Sequence, residues 1–141
     1  MMLPSQLQRQ NSILIPYKFK NGEFLVFLQK RSKDAKRAPD VFGFFGGGIE
    51  EGETNEQGLV RESQEELNYT PKNHQFFKGY DFGDNFKNIF LERVDDNFES
   101  LIKVQEGEYG KWFSKKEVIA ESRMIADDRV VLEEIFNSFV S

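Results

Sequence analysis

The sequence predicts an α/β (α+β) fold in which a mixed β-sheet is sandwiched between helices. Three observations carry this. Two runs of β-forming residues flank an Asn-Gly pair, a capped helical segment occupies mid-chain, and apolar residues recur at helical spacing near the C-terminus. Strands, a helix, more strands and then helices, in that order, suit helices laid on both faces of one sheet.

The elements follow in turn. Residues 12–19 (SILIPYKF) and 23–30 (EFLVFLQK) are joined by Lys20-Asn21-Gly22, a strong short-range hairpin signal. Arg31 to Gly48, with Pro39 and several glycines, reads as a long functional loop leading to a short strand. Thr54 to Leu67 reads as a helix. Thr54 and Gln57 form a capping box, and Asn68 suits the left-handed residue after the last turn. Further strands are expected at 75–81, 87–94 and 108–113, and a short helix at 115–121. A last helix over 128–139 aligns Val131, Leu132, Ile135, Phe136 and Phe139. No repeat or low-complexity linker interrupts the chain, so a single domain over 1–141 is expected.

Composition narrows the chemistry. A chain of 141 residues, 38% hydrophobic and 14% aromatic, holds enough apolar material for a core and is not a disordered type. It has no Cys, which excludes thiol nucleophiles, disulfides and Cys-based zinc sites. Its one histidine, His74, excludes a multi-His metal site; following Lys72-Asn73, it reads as a solvated loop residue. The longest apolar run is FLVFL at 24–28, against roughly 20 residues for a membrane span. MMLPSQLQRQ at the N-terminus lacks a basic and an apolar signal region, so a soluble, cytoplasmic protein is expected.

Charge is unevenly placed. The net charge is −5, which argues against a general nucleic-acid coat. Residues 50–66 (EEGETNEQGLVRESQEE) hold seven Glu and one Arg, whereas 30–37 (KRSKDAKR) hold five bases and one acid. An acidic segment and a basic loop in one small domain suggest a cation and a polyanion bound side by side.

On the mid-chain helix, Glu62, Glu65 and Glu66 lie three and four residues apart or adjacent, on one side and within mutual reach. Such like charges repel unless a cation sits among them, and oxygen-only ligands suit Mg²⁺ or Mn²⁺. Val60, Ser63 and Leu67 are expected to face the core. Arg61 is placed to pair with Glu53 and pin the preceding loop, while Gly46, Gly47, Gly48 and Gly52 permit a tight turn with close backbone approach.

These residues resemble the Nudix hydrolase signature, G-x5-E-x7-R-E-U-x-E-E-x-G-U, with U a bulky apolar residue. Gly47, Glu53, Arg61, Glu62, Glu65 and Glu66 fall in register, and the box extends over about 47–69. Ser63 replaces the first apolar residue, Asn68 the last glycine, and Phe45 stands where many members have Pro. The resemblance implies a Nudix-type α/β/α sandwich and a Mg²⁺-dependent pyrophosphohydrolase, with Mn²⁺ as a substitute. It implies that Gly46, Glu62, Glu65 and Glu66 hold metal, that Glu65, Glu62 or Glu106 serves catalysis, and that Gly47, Glu53 and Arg61 give support.

The likeness reaches beyond the box to MutT-type members. QEGEYGKWFS at 105–114 matches their segment with an assisting glutamate, which falls on Glu106, with Glu108 as the fallback. Their base-reading position falls on Asp127, a base-pocket position on Phe44 and a phosphate-contacting position on Arg31. The implied substrate is a small nucleotide, best a nucleoside triphosphate, unmodified or oxidised, cleaved to monophosphate and pyrophosphate. Dinucleoside polyphosphates, nucleotide sugars, ADP-ribose and RNA 5′ ends are the alternatives, with a non-catalytic nucleotide sensor behind them. No stable nucleic-acid complex and no membrane contact are expected. The Phe-rich stretch 76–90 is a candidate homodimer surface.

Overall fold

A computed structural model describes residues 8–139. The strands are β1 (Arg9–Lys20), β2 (Glu23–Lys30), β3 (Phe42–Gly43), β4 (Phe45–Gly48), β5 (His74–Asp81), β6 (Asn85–Arg93) and β7 (Tyr109–Phe113). The helices are α1 (Asn55–Leu67), α2 (Phe98–Leu101), α3 (Lys115–Ala120) and α4 (Ala126–Phe139).

The first hairpin forms as its turn residues require. Asn21 and Gly22 both take positive φ, 53° and 79°, which is what a two-residue turn of matching twist needs. Register then runs from Lys20↔Glu23 to Tyr17↔Val26. The sheet order is β3-β2-β1-β6-β5, with β4 on β1 and β7 on β2. β1 and β6 are parallel while the other pairs are antiparallel, so the sheet is mixed as expected.

Both sheet faces are covered, which explains why the central strands read as continuous apolar runs. Ile13 and Ile15 of β1, Val26 and Leu28 of β2, and Ile89 and Leu91 of β6 join Val131, Leu132, Ile135 and Phe136 of α4 in one cluster. The alternate residues Leu14, Phe27 and Phe90 point the other way, to Phe45, Leu59 and Leu67 around α1. The layers are therefore α/β/α. No helix among the described residues is long and apolar enough to cross a membrane.

Several expectations need correction. β1 begins at Arg9 because residues 9–11 pair with Asn85–Lys87 of β6, a partner remote in sequence. The stretch after Arg31 yields two short strands, β3 and β4, rather than one. α2 has no counterpart among the expected elements, since four residues carry no readable period. His74 is not a solvated loop residue. It opens β5 opposite Glu92, places Nε2 3.3 Å from Glu56, and packs against Phe90. On α1, Leu59 and Glu66 join Ser63 and Leu67 in the buried set, and Val60 is only half-buried.

Candidate active site

The site is built on the N-terminal approach and outer turns of α1. Thr54 Oγ1 accepts from the Gln57 N–H at 3.1 Å and Gln57 Oε1 accepts from the Thr54 N–H at 2.9 Å, closing the capping box. At the other end Asn68 takes φ 51°, and its N–H reaches the Gln64 carbonyl at 3.0 Å. Both ends were legible, and together they fix which residues face inward.

Glycine is required where α1 meets β4. Gly46 has φ 138°, and a side chain there would collide with the Ser12 carbonyl. A Cβ on Gly47 would lie 2.7 Å from the Glu62 carboxylate. These positions let the helical carboxylates come against bare backbone.

Arg61 organises the entry loop. Its Nε and Nη2 donate to Glu53 at 2.8 and 3.0 Å, and Nη2 also donates to the Gly48 carbonyl at 2.8 Å. Its Nη1 donates to Glu62 at 3.0 Å and approaches Glu65 at 3.4 Å. The Glu50 N–H donates to Glu53 at 2.8 Å. The Arg61 bond, followed by that N–H, holds the Glu53 carboxyl below the usual range.

Glu66 is the most perturbed acid of the box. It is 2% exposed, accepts from the Gly46 N–H at 2.9 Å, and lies 3.5 Å from Gln29 Nε2. Burial, then the nearby charges of Glu106 and Glu62, push its pKa up to about 9. Glu62 is half-buried, whereas Glu65 and Glu106 are exposed. Glu62 and Glu106 therefore both bear on Glu66, and Glu65 stands at the outer rim beside Arg61. Among the described residues no three acids are already drawn into a closed cage. Arg61 holds two of them and the Gly46 N–H holds the third. An oxygen-only set of carboxylates set against bare backbone fits a hard divalent cation.

The remaining candidates are dispersed. The Arg31 guanidinium turns into its own loop, with Nε and Nη2 donating to the Arg37 carbonyl at 3.1 and 2.8 Å. Phe44 is 7% exposed and Asp127 half-buried. The neighbour of Asp127, Asp128, is the residue tied to Phe44: its Oδ2 accepts from the Phe44 N–H at 3.1 Å and Oδ1 pairs with Lys87 Nζ at 2.5 Å. Burial raises the Asp128 pKa, and Lys87 and the Phe44 N–H oppose that rise. Asp128 is not among the residues the sequence singles out, although its spacing from Val131, Leu132 and Ile135 marks the inner face of α4. Glu108, the fallback for Glu106, faces Lys30 at 3.5 Å. A groove of about 690 Å³ at Phe19, Phe24 and Ile119 contains none of the box residues.

The model of the NUDIX domain family matches residues 8–135. The 8-oxo-dGTP diphosphatase of Escherichia coli (strain K12) is 34% identical over 108 residues, covering 75% of this chain and 82% of that protein. Among solved structures, a MutT from work on Aliivibrio salmonicida and Vibrio cholerae superposes with a TM-score of 0.75 at 24% identity, covering 94% of this chain and 99% of the other. The NUDIX domain of Shewanella oneidensis NrtR, solved with ADP ribose, gives 0.74 at 16% identity, covering 94% and 89%. With the box in register, its glutamates around the glycine turn and the sheet between helices, the chain belongs to the Nudix family as a MutT-like hydrolase of phosphoric anhydride bonds.

Proposed function

We propose that the protein hydrolyses a nucleoside triphosphate, unmodified or oxidised at the base, to the monophosphate and pyrophosphate in the presence of Mg²⁺. The observation that carries this reading is the placement of the Glu62 and Glu66 carboxylates against the Gly46–Gly47 backbone, with Gln29 lying beside Glu66 and bonded to Glu106. The likeness to the Escherichia coli diphosphatase favours the triphosphate class. Dinucleoside polyphosphates, nucleotide sugars, ADP-ribose and RNA 5′ ends stay within the same bond chemistry.

Gly46, Glu62, Glu65 and Glu66 would hold Mg²⁺, with Mn²⁺ as a substitute. Bound there, the cation neutralises diphosphate charge and lowers the pKa of a water. The protein groups do the rest. Glu65 or Glu106 would orient the attacking water and take its proton: both are exposed, Glu65 next to Glu66 in the chain and Glu106 tied to Gln29, which lies 3.5 Å from Glu66. Gly47 leaves room for the Glu62 carboxylate, and Glu53 with Arg61 holds the loop against α1. Phe44 and Asp127 are the substrate-side residues of this reading, with Asp127 accepting from a base N–H, while Arg31, turned into its own loop, shapes that loop. A small nucleotide is the partner, without a stable nucleic-acid complex, in a single cytoplasmic domain. Of the phenylalanines in the 76–90 stretch only Phe76 is exposed, Phe90 being buried in the core, so the candidate homodimer surface narrows to the neighbourhood of Phe76.

The test is chromatography of products from a panel: unmodified and 8-oxo nucleoside triphosphates, diadenosine polyphosphates, nucleotide sugars, ADP-ribose and capped RNA, each with Mg²⁺. Monophosphate and pyrophosphate from a triphosphate, absent in Glu65→Gln, are expected. Turnover confined to another member of the panel would overturn the substrate assignment.

A further inference from the structure

We propose that the loop from Arg31 to Asp40 is a phosphate subsite in which Lys36 and Arg37 bind the terminal phosphate of the substrate and Arg31 positions them. This rests on the nucleotide hydrolase reading and names the class within it: substrates whose phosphate chain ends free.

The subsite is a cleft of about 420 Å³ whose lining includes Gln29, Arg31, Lys36, Arg37, Glu106 and Gly107. Its floor is continuous with the glutamate cluster. Gln29 Nε2 donates to the Glu106 carbonyl at 2.9 Å and lies 3.5 Å from Glu66. A phosphate chain held at the glutamates therefore has a direct route into the cleft.

The loop is shaped at a cost. Ala38 and Asp40 both take left-handed φ, 43° and 58°, without being glycine. What holds them is local. Arg31 donates to the carbonyls of Arg37 and Ala38, the Asp40 N–H donates to the Ser32 carbonyl at 3.1 Å, and Asp40 pairs with buried Lys30 at 2.5 Å. With its guanidinium spent on two carbonyls, Arg31 is a positioning residue. The loop's outer face presents Lys36 and Arg37, both exposed and, among the described residues, without an ion pair.

Charge decides which phosphate they take. Asp34 and Glu106 also line the cleft, against the three cations Arg31, Lys36 and Arg37, so its lining carries a net positive charge. A terminal phosphate carries close to two charges at neutral pH and has three free oxygens, whereas an internal one carries a single charge. A lysine beside an arginine fork therefore favours the free end of the chain. ADP-ribose and nucleotide sugars, esterified at both ends, gain nothing from it.

The test uses inorganic tripolyphosphate in EDTA, so that no cation contributes, and calorimetry on wild type and Lys36→Ala/Arg37→Ala. Loss of two charged contacts predicts at least ~10-fold weaker binding. With Mg²⁺, KM for a nucleoside triphosphate rises by at least ~10-fold, while KM for ADP-ribose moves by less than about 2-fold. Arg31→Lys also weakens tripolyphosphate binding, and it alone speeds amide hydrogen exchange over residues 32–40. Tripolyphosphate binding unchanged in the double variant, or equal KM shifts for both substrates, overturns the subsite. If wild type turns over no nucleotide yet the double variant loses tripolyphosphate, the hydrolase substrate reading fails and the subsite stands.

Discussion

The backbone N–H of Phe44 donates to the Oδ2 of Asp128 at 3.1 Å, across 84 residues of chain. Lys87 closes the other side of that carboxylate at 2.5 Å, with the Asp128 side chain 2% exposed. Asp128→Asn leaves the largely buried Lys87 ammonium without a counter-charge, a change that costs about 3–5 kcal/mol in such pairs. Asp127→Asn, one residue away and half-buried, should leave stability nearly unchanged and shift the preference among bases. Urea denaturation and the triphosphate panel separate the two. Equal stability losses for both variants would contradict these roles.

Arg61→Lys is expected to weaken divalent metal affinity or activity by about 10–100-fold, the range for residues that orient ligands. An ammonium cannot reproduce the two parallel bonds to Glu53 together with the bond to the Gly48 carbonyl. Glu53→Gln keeps one acceptor for the guanidinium and should lose less. Mg²⁺ titration of activity checks the order of the two variants.

Glu65→Gln and Glu62→Gln should each lower kcat by at least ~10²-fold, the lower end for removing one acid–base group. The folded structure should survive both, because Glu65 is exposed and Glu62 only half-buried. Single-turnover kinetics with unchanged circular dichroism would establish this. Full Mg²⁺-dependent turnover in either variant would remove these glutamates from the chemistry.

What was legible in the sequence was short-range. The capping box spans three residues, the left-handed Asn68 ends its own helix, and Glu53 lies eight residues from Arg61, so one segment encodes them all. The alternating strands were legible because both sheet faces bury apolar residues, leaving unbroken runs such as Ile13-Leu14-Ile15. Long-range partners were not legible. Asp128 depends on Phe44 and on Lys87, 41 residues away, and the start of β1 depends on β6. Nor does a basic loop announce that Arg31 turns inward while Lys36 and Arg37 stay exposed; that follows from two left-handed residues and their local bonds.

The Lys30–Asp40 clasp carries its own pH signature. The Lys30 bond holds the Asp40 carboxyl below its ordinary 3.8, and the Asp40 bond raises Lys30 above 10.5. A depressed acid contributes stability that is complete above its unfolded pKa and lost as pH falls through the folded value. A raised base contributes stability complete below its unfolded pKa and lost as pH climbs through the folded one. The stability difference between wild type and Asp40→Asn should therefore be flat across the neutral range. It should shrink on the acid side below 3.8 and on the alkaline side above 10.5. At neutral pH the same variant should free the loop, and trypsin should cut faster after Lys33, Lys36 and Arg37 than in wild type. A difference curve without those two shoulders, or unchanged cleavage, would show that the loop keeps its shape without the clasp.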